Sequence, residues 1–165
     1  GHAKVVAGEP VIVDIVHLHR GYVSDCTRMF CAGRLDDESV GRLNDMAEIR
    51  DSVVSSLGKG DHCSEAWRIG SGMADEMGYS EHLMGMPPEQ AVFLGHSVGL
   101  ELDETPVVAD RFDRELPIGG TMAIEPKVIY ESGAIGTEDT FARTQDGMEC
   151  LTMGDSWDLL TEWEA

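Results

Sequence analysis

Val11-Ile12-Val13-Asp14-Ile15-Val16, then His17-Leu18-His19-Arg20, then Gly21-Tyr22-Val23-Ser24-Asp25-Cys26-Thr27-Arg28-Met29-Phe30-Cys31: this stretch decides the fold. Its two outer runs are rich in β-branched and aromatic residues, and the short link between them predicts an antiparallel hairpin. With the turn centred between His19 and Arg20, Asp14 falls opposite Asp25. The apolar neighbours of Asp14 predict a buried strand, where an unpaired carboxylate is costly. Two acids opposed on one face repel each other unless a cation sits between them.

The same pattern returns near the other end of the chain. Extended runs at 121–130 and 134–143 flank the turn signal Glu131-Ser132-Gly133. A turn centred between Glu131 and Ser132 places Glu125 opposite Glu138. Four inward carboxylates plus one imidazole would cage two hard or borderline divalent cations. The best imidazole is His96, flanked by glycines in Gly95-His96-Ser97-Val98-Gly99 and followed by an expected strand at 98–102. The other reading, surface acids on alternating strands, stands beside it on spacing alone.

Working outward, a helix is expected over 36–57, with acids in its first turn and Gly58 as its stop. A second is expected over 64–77, stopped by Gly78. Residues 78–95 read as irregular around Pro87-Pro88. The tail, 155–163, reads as a short amphipathic helix anchored by Trp157 and Trp163. Strands flank helices without regular βαβ alternation, so the class is α+β in a single domain, which 165 residues suit. His17 and His19 read as exposed loop residues, and the methionines as core filling.

Composition narrows the function. Acidic residues number 31 against 12 basic, a net charge of −19, which repels phosphate backbones and anionic headgroups and argues against nucleic-acid and membrane partners. No apolar run approaches the roughly 18 residues of a membrane span. Cys26, Cys31, Cys63 and Cys150 form no Cys-x-x-Cys pair, so structural zinc is a poor reading and reduced thiols in a cytoplasm fit better.

These motifs resemble metallopeptidase family M24, the pita-bread peptidases that include Xaa-Pro dipeptidases, Xaa-Pro and methionine aminopeptidases, and creatinase. The resemblance is carried by Asp14 with Gly21-Tyr22-Val23-Ser24-Asp25-Cys26-Thr27-Arg28, by Gly95-His96-Ser97-Val98-Gly99-Leu100-Glu101, by Ala123-Ile124-Glu125-Pro126 and by Gly136-Thr137-Glu138-Asp139-Thr140. It implies a mostly antiparallel curved sheet with flanking helices. It also implies two divalent ions (Mn, Co, Zn or Fe) on Asp14, Asp25, His96, Glu125 and Glu138, with Asp25 and Glu138 bridging. The implied reaction is hydrolysis of a peptide or dipeptide, Xaa-Pro above all, by a hydroxide bridging the ions. His96 and Glu125 would be catalytic, Glu125 as proton shuttle.

The sequence also departs from the family. Asp103 stands where a second histidine is usual and becomes a candidate substrate contact, Ser97 and Lys127 stand where glycines are usual, and the early part of the pita-bread domain has no counterpart. The chain therefore reads as the C-terminal part of a longer protein, expected to form a homo-oligomer and to show little activity alone. A catalytically silent binding domain and creatinase-like chemistry are the other readings that the resemblance leaves open.

Overall fold

The computed structural model describes residues 4–152 and 158–164. The first hairpin is β1 (Pro10–His19) with β2 (Tyr22–Ala32). Its register differs from the expected one by two residues: Asp14 lies opposite Thr27, and Asp25 opposite Val16. The reason is the turn. Arg20 (φ 52°) and Gly21 (φ 89°) both take left-handed backbone, the mirror-image turn that matches strand twist, so the chain reverses one residue later. A two-residue displacement leaves every side chain on its face. Asp14 and Asp25 are thus diagonal neighbours on one face instead of direct partners.

The burial expected for Asp14 is also corrected. It is exposed, as are Val13 (37%) and Val16 (53%). β1 is an edge strand, hydrogen-bonded among the described residues to β2 alone, so its apolar composition does not enclose it.

Helix α1 (Asp37–Lys59) starts where Asp36 accepts a hydrogen bond from the Ser39 N–H, and it ends at Gly60 (φ 94°). It runs past the expected stop at Gly58. That glycine serves a close approach instead: a Cβ there would lie 3.3 Å from the backbone nitrogen of Met148. Leu43, Met46, Ile49, Val53 and Leu57 recur at helical spacing and form the buried stripe. Helix α2 (Cys63–Glu76) packs across α1.

Strand β3 (Phe93–Ser97) contains His96, so the strand expected after that residue lies on it instead. β4 (Glu104–Ala109), β5 (Thr121–Ile124), β8 (Asp139–Thr144) and β9 (Gly147–Cys150) complete an antiparallel sheet in the order β4-β3-β5-β8-β9. β6 (Lys127–Tyr130) and β7 (Gly133–Gly136) form a separate hairpin over Glu131-Ser132. One register runs through both ladders, pairing Lys127 with Gly136 and Ile124 with Asp139, so it brackets Glu125 and Glu138 as expected. The ladder breaks between them because Pro126 has no N–H to give, and the Glu125 N–H goes to the Leu94 carbonyl instead, at 2.9 Å.

The tail corrects another expectation. Residues 155–157 lie outside the described residues, and the described part is a strand, β10 (Leu160–Trp163), parallel to β2. The free edge of β2 takes it up: the Met29 N–H donates to the Leu159 carbonyl and the Gly33 N–H to that of Trp163, at 2.9 and 2.7 Å. Pairing with an existing edge satisfies backbone groups that a short, isolated helix would leave to solvent.

Between α1 and the sheets sits a buried ion triad. Asp139 is fully buried and accepts from Arg28 at 2.7 Å and from Arg50 at 2.8 Å. Arg28 also donates to the carbonyls of Thr27 and Glu138, both at 2.9 Å. Arg50 reaches the Thr137 hydroxyl at 3.2 Å, so α1, β2 and the start of β8 meet on one carboxylate. Removing it would take the shared carboxylate from two interior guanidiniums, although Arg50 keeps Asp51 at 2.8 Å and Arg28 its two carbonyls. Asp139→Ala is expected to cost about 3–5 kcal/mol in a urea unfolding experiment; a loss under about 1 kcal/mol would show that the triad is not a structural tie.

Candidate metal centre

Alternation along the strands sorts the acids. Asp139 points toward α1, and its neighbour Glu138 therefore points to the opposite face of the sheet. On β2, Arg28 shares the face of Asp139, while Asp25 and Thr27 share that of Glu138. A backbone bridge between Thr27 and Glu138 draws the two sheets together at this point. The Thr27 hydroxyl donates to Glu138 Oε2 at 2.6 Å, and the Thr140 hydroxyl donates to the Asp25 carbonyl at 2.8 Å. His96 comes from the adjacent strand, and Gly95 lets that strand close in: a Cβ at Gly95 would lie 2.3 Å from the Ala123 carbonyl oxygen.

Asp25, His96 and Glu138, all buried, offer ligand atoms within 4.8 Å of one another. His96 Nε2 lies 3.8 Å from Asp25 Oδ2 and 3.3 Å from Glu125 Oε1. On the other side of the ring, Nδ1 is 3.2 Å from the Ser97 carbonyl and 3.6 Å from Oδ1 of the exposed Asp103. A proton on Nδ1, donated to that carbonyl, leaves Nε2 to face the carboxylates, where it donates to Glu125 while protonated and becomes a ligand nitrogen once a cation displaces that proton. Asp14 lies beside Asp25 but outside this group of three. Its carboxylate meets Lys127, whose Nζ is 3.7 Å from Asp14 Oδ2, 2.7 Å from Glu125 Oε2 and 3.1 Å from Glu138 Oε2.

The charges are unevenly balanced. Burial, with Glu138 and Asp14 nearby, pushes the Asp25 carboxyl up to about 7. Burial and the charge of Glu125 raise Glu138 as well, against the pull of Lys127. Burial would raise Glu125 too, but His96 and Lys127 hold it below its ordinary value. For His96, burial works against the proton, yet the hydrogen bond to Glu125, the Ser97 carbonyl and Asp103 push it up to about 9. Asp25 Oδ1 is buried with no hydrogen-bond partner among the described residues. An orphaned carboxylate oxygen next to a nitrogen donor and a second carboxylate suits a borderline divalent cation, so these residues fit a metal.

Lys127 belongs to this cage, although the sequence shows it first as a departure in a motif. The signal for its position is spacing: it lies two residues past Glu125, which in extended chain puts both side chains on one face. Arg28, Arg50 and Asp139 position the centre from behind and carry no local signal of that role. The other described histidines lie elsewhere. His17 and His19 are exposed on β1, and His82 stacks on Tyr130 with ring centroids 4.1 Å apart.

Comparison with known proteins agrees with this architecture. The sequence model of metallopeptidase family M24 matches residues 1–145. The chain is 29% identical over 150 residues to an Xaa-Pro dipeptidase of Pyrococcus horikoshii, an alignment covering 90% of the chain and 41% of that protein. The solved prolidase structure from Pyrococcus horikoshii superposes with a TM-score of 0.83 at 28% identity, covering 94% of this chain and 43% of that one. A dipeptidase structure from the same organism, 23% identical, shares the fold with a TM-score of 0.86 over 99% of this chain and 44% of that one. The chain thus spans less than half the length of these proteins. With that match over residues 1–145 and that shared architecture, the chain belongs to metallopeptidase family M24 and has its pita-bread fold.

Proposed function

We propose that this domain takes part in metal-dependent hydrolysis of a peptide bond at the N-terminus of peptides or in dipeptides, with Xaa-Pro as the substrate class. The observation that carries the reading is the buried triad of Asp25, His96 and Glu138 with the orphaned Asp25 Oδ1. The relative named Xaa-Pro dipeptidase supports the substrate class. Manganese, cobalt, zinc and iron all suit the mixed nitrogen and carboxylate donors. The two-cation site that the resemblance implies requires Lys127 to withdraw from Asp14, Glu125 and Glu138.

A divalent ion bound there supplies a lowered water pKa and polarises the scissile carbonyl. The chain's own groups do the rest. Glu125, held ionised by Lys127 and His96, takes a proton from the attacking water at Oε1 and passes it to the leaving nitrogen as the C–N bond breaks. His96 is fixed by the Ser97 carbonyl and keeps Nε2 facing the carboxylates. Asp103, exposed at the rim, contacts the substrate; an ionised carboxylate accepts hydrogen bonds and donates none, so it pairs with substrate N–H groups and leaves the carbonyl alone. In the same proposal, the four free cysteines fit a reducing compartment such as the cytoplasm. The open edge of β1, with Val16 and Leu18 exposed, fits pairing with a second copy. No helix among the described residues is long and apolar enough to cross a membrane.

Two measurements test this reading. The first is metal-dependent stability. Between 3.8 and about 7 the folded Asp25 holds a proton that the unfolded chain has lost, and between 6.5 and about 9 His96 does the same. Stability of the metal-stripped chain from these groups therefore falls as pH rises through both windows, while a cation meets fewer protons to displace. Saturating Mn²⁺ is expected to raise the Tm, more at pH 8.5 than at pH 6, and Asp25→Asn is expected to lose most of the shift. A chain with no Mn²⁺-dependent shift at either pH would contradict the metal reading. The second is turnover of an Xaa-Pro dipeptide panel. Weak Mn²⁺-dependent hydrolysis is expected from the chain, lost by about a hundredfold or more in Glu125→Gln. A metal-dependent Tm shift without any hydrolysis would favour a silent binding domain instead.

A further inference from the structure

Lys127 sits where a cation would. Its ammonium faces three carboxylates, Glu125 at 2.7 Å, Glu138 at 3.1 Å and Asp14 at 3.7 Å, and its side chain is only 13% exposed. A buried lysine is costly unless paired, and here three acids pair it. The fold also makes room for the stem. Gly136 is its cross-strand partner, and a Cβ at Gly136 would lie 2.5 Å from Lys127 Cγ. Glu138 Oε2, which meets the ammonium, also accepts from the Thr27 hydroxyl, so that oxygen is engaged on the lysine side of the cage.

The other side of the cage is different. Asp25 is 4% exposed and its Oδ1 has no partner among the described residues. It shares that side with His96 Nε2, and ligand atoms of Asp25, His96 and Glu138 lie within 4.8 Å of one another. Here Asp25 has only His96 Nε2, at 3.8 Å, where Glu125, Glu138 and Asp14 have the Lys127 ammonium.

We infer that Lys127 is a built-in cation that fills one half of the five-ligand cage, so that the centre takes a single divalent ion, held by Asp25, His96 and Glu138. The inference rests on the metal-dependent reading proposed above. It leaves Glu125 tied to Lys127 as a proton carrier rather than a ligand, and Asp14 as a counter-charge to the ammonium. A second divalent ion would have to enter against that ammonium at contact distance, where like charges repel most strongly.

The test is a titration of the metal-stripped chain with MnCl₂, counted by the loss of the free-ion electron paramagnetic resonance signal and examined frozen for coupling between ions. The chain is expected to bind one Mn²⁺ with the spectrum of an isolated ion, as is Lys127→Arg, which keeps the charge. Lys127→Ala, and Lys127→Met with its neutral stem, are expected to bind two, with a spin-coupled spectrum. Two coupled ions in the unmodified chain would overturn the inference and leave the metal-dependent reading standing. So would a single ion in a folded Lys127→Ala or Lys127→Met chain. If neither variant folds, the count in the unmodified chain decides. No bound ion in the unmodified chain would overturn the metal-dependent reading and the inference with it.

Discussion

The centre depends on an ion triad that it does not contain. Arg28 and Arg50 share the fully buried carboxylate of Asp139, and Arg28 also holds the carbonyls of Thr27 and Glu138. These contacts fix the point where the β1–β2 hairpin meets β8. A buried ion pair of this kind adds little net stability over a well-packed apolar replacement, because desolvation offsets most of the attraction. Its effect here is on geometry. With Asp139 committed to the helix side, strand alternation sends Glu138 to the other side, beside Asp25. The side chain that binds the core and the side chain that faces the cage are consecutive residues.

On the cage side, charge is distributed by what each acid can reach. Asp14, Asp25, Glu125 and Glu138 face two cationic groups, Lys127 and His96. Glu125 touches both, and its carboxyl is held down. Asp25 and Glu138, buried and less well compensated, are pushed up. The deficit of positive charge therefore collects at the two acids that flank His96. Such a site is unfavourable without a cation, and pre-organised for one. Lys127 accounts for the asymmetry: remove it, and the deficit would spread over all four acids.

Much of this was legible in the sequence. The hairpins follow from β-branched runs around short links, and parity placed Asp14 with Asp25 and Glu125 with Glu138 on common faces. The second register is the expected one because Glu131-Ser132 forms the turn it resembles. The first missed by two residues because Gly21, which accepts left-handed backbone, draws the turn toward itself. The exposure of Asp14 was hidden by apolar neighbours, since composition does not tell an edge strand from an enclosed one. The strand at 160–163 was hidden because its partner edge on β2 lies more than a hundred residues away in the chain. Arg28, Arg50 and Asp139 are charged residues far apart in the chain, and only their convergence reveals them as interior. Lys127 could be placed on the face of Glu125 by counting, but its three carboxylate contacts come from elements that counting does not join.

The most direct test of this account is an anomalous difference map from crystals of the chain grown with Mn²⁺. One peak is expected, between Asp25, His96 and Glu138, with Lys127 Nζ still against Asp14 and Glu125. A second peak between Asp14 and Glu125, with the lysine turned away, would contradict the built-in cation. A map with no peak among these residues would contradict the metal centre itself.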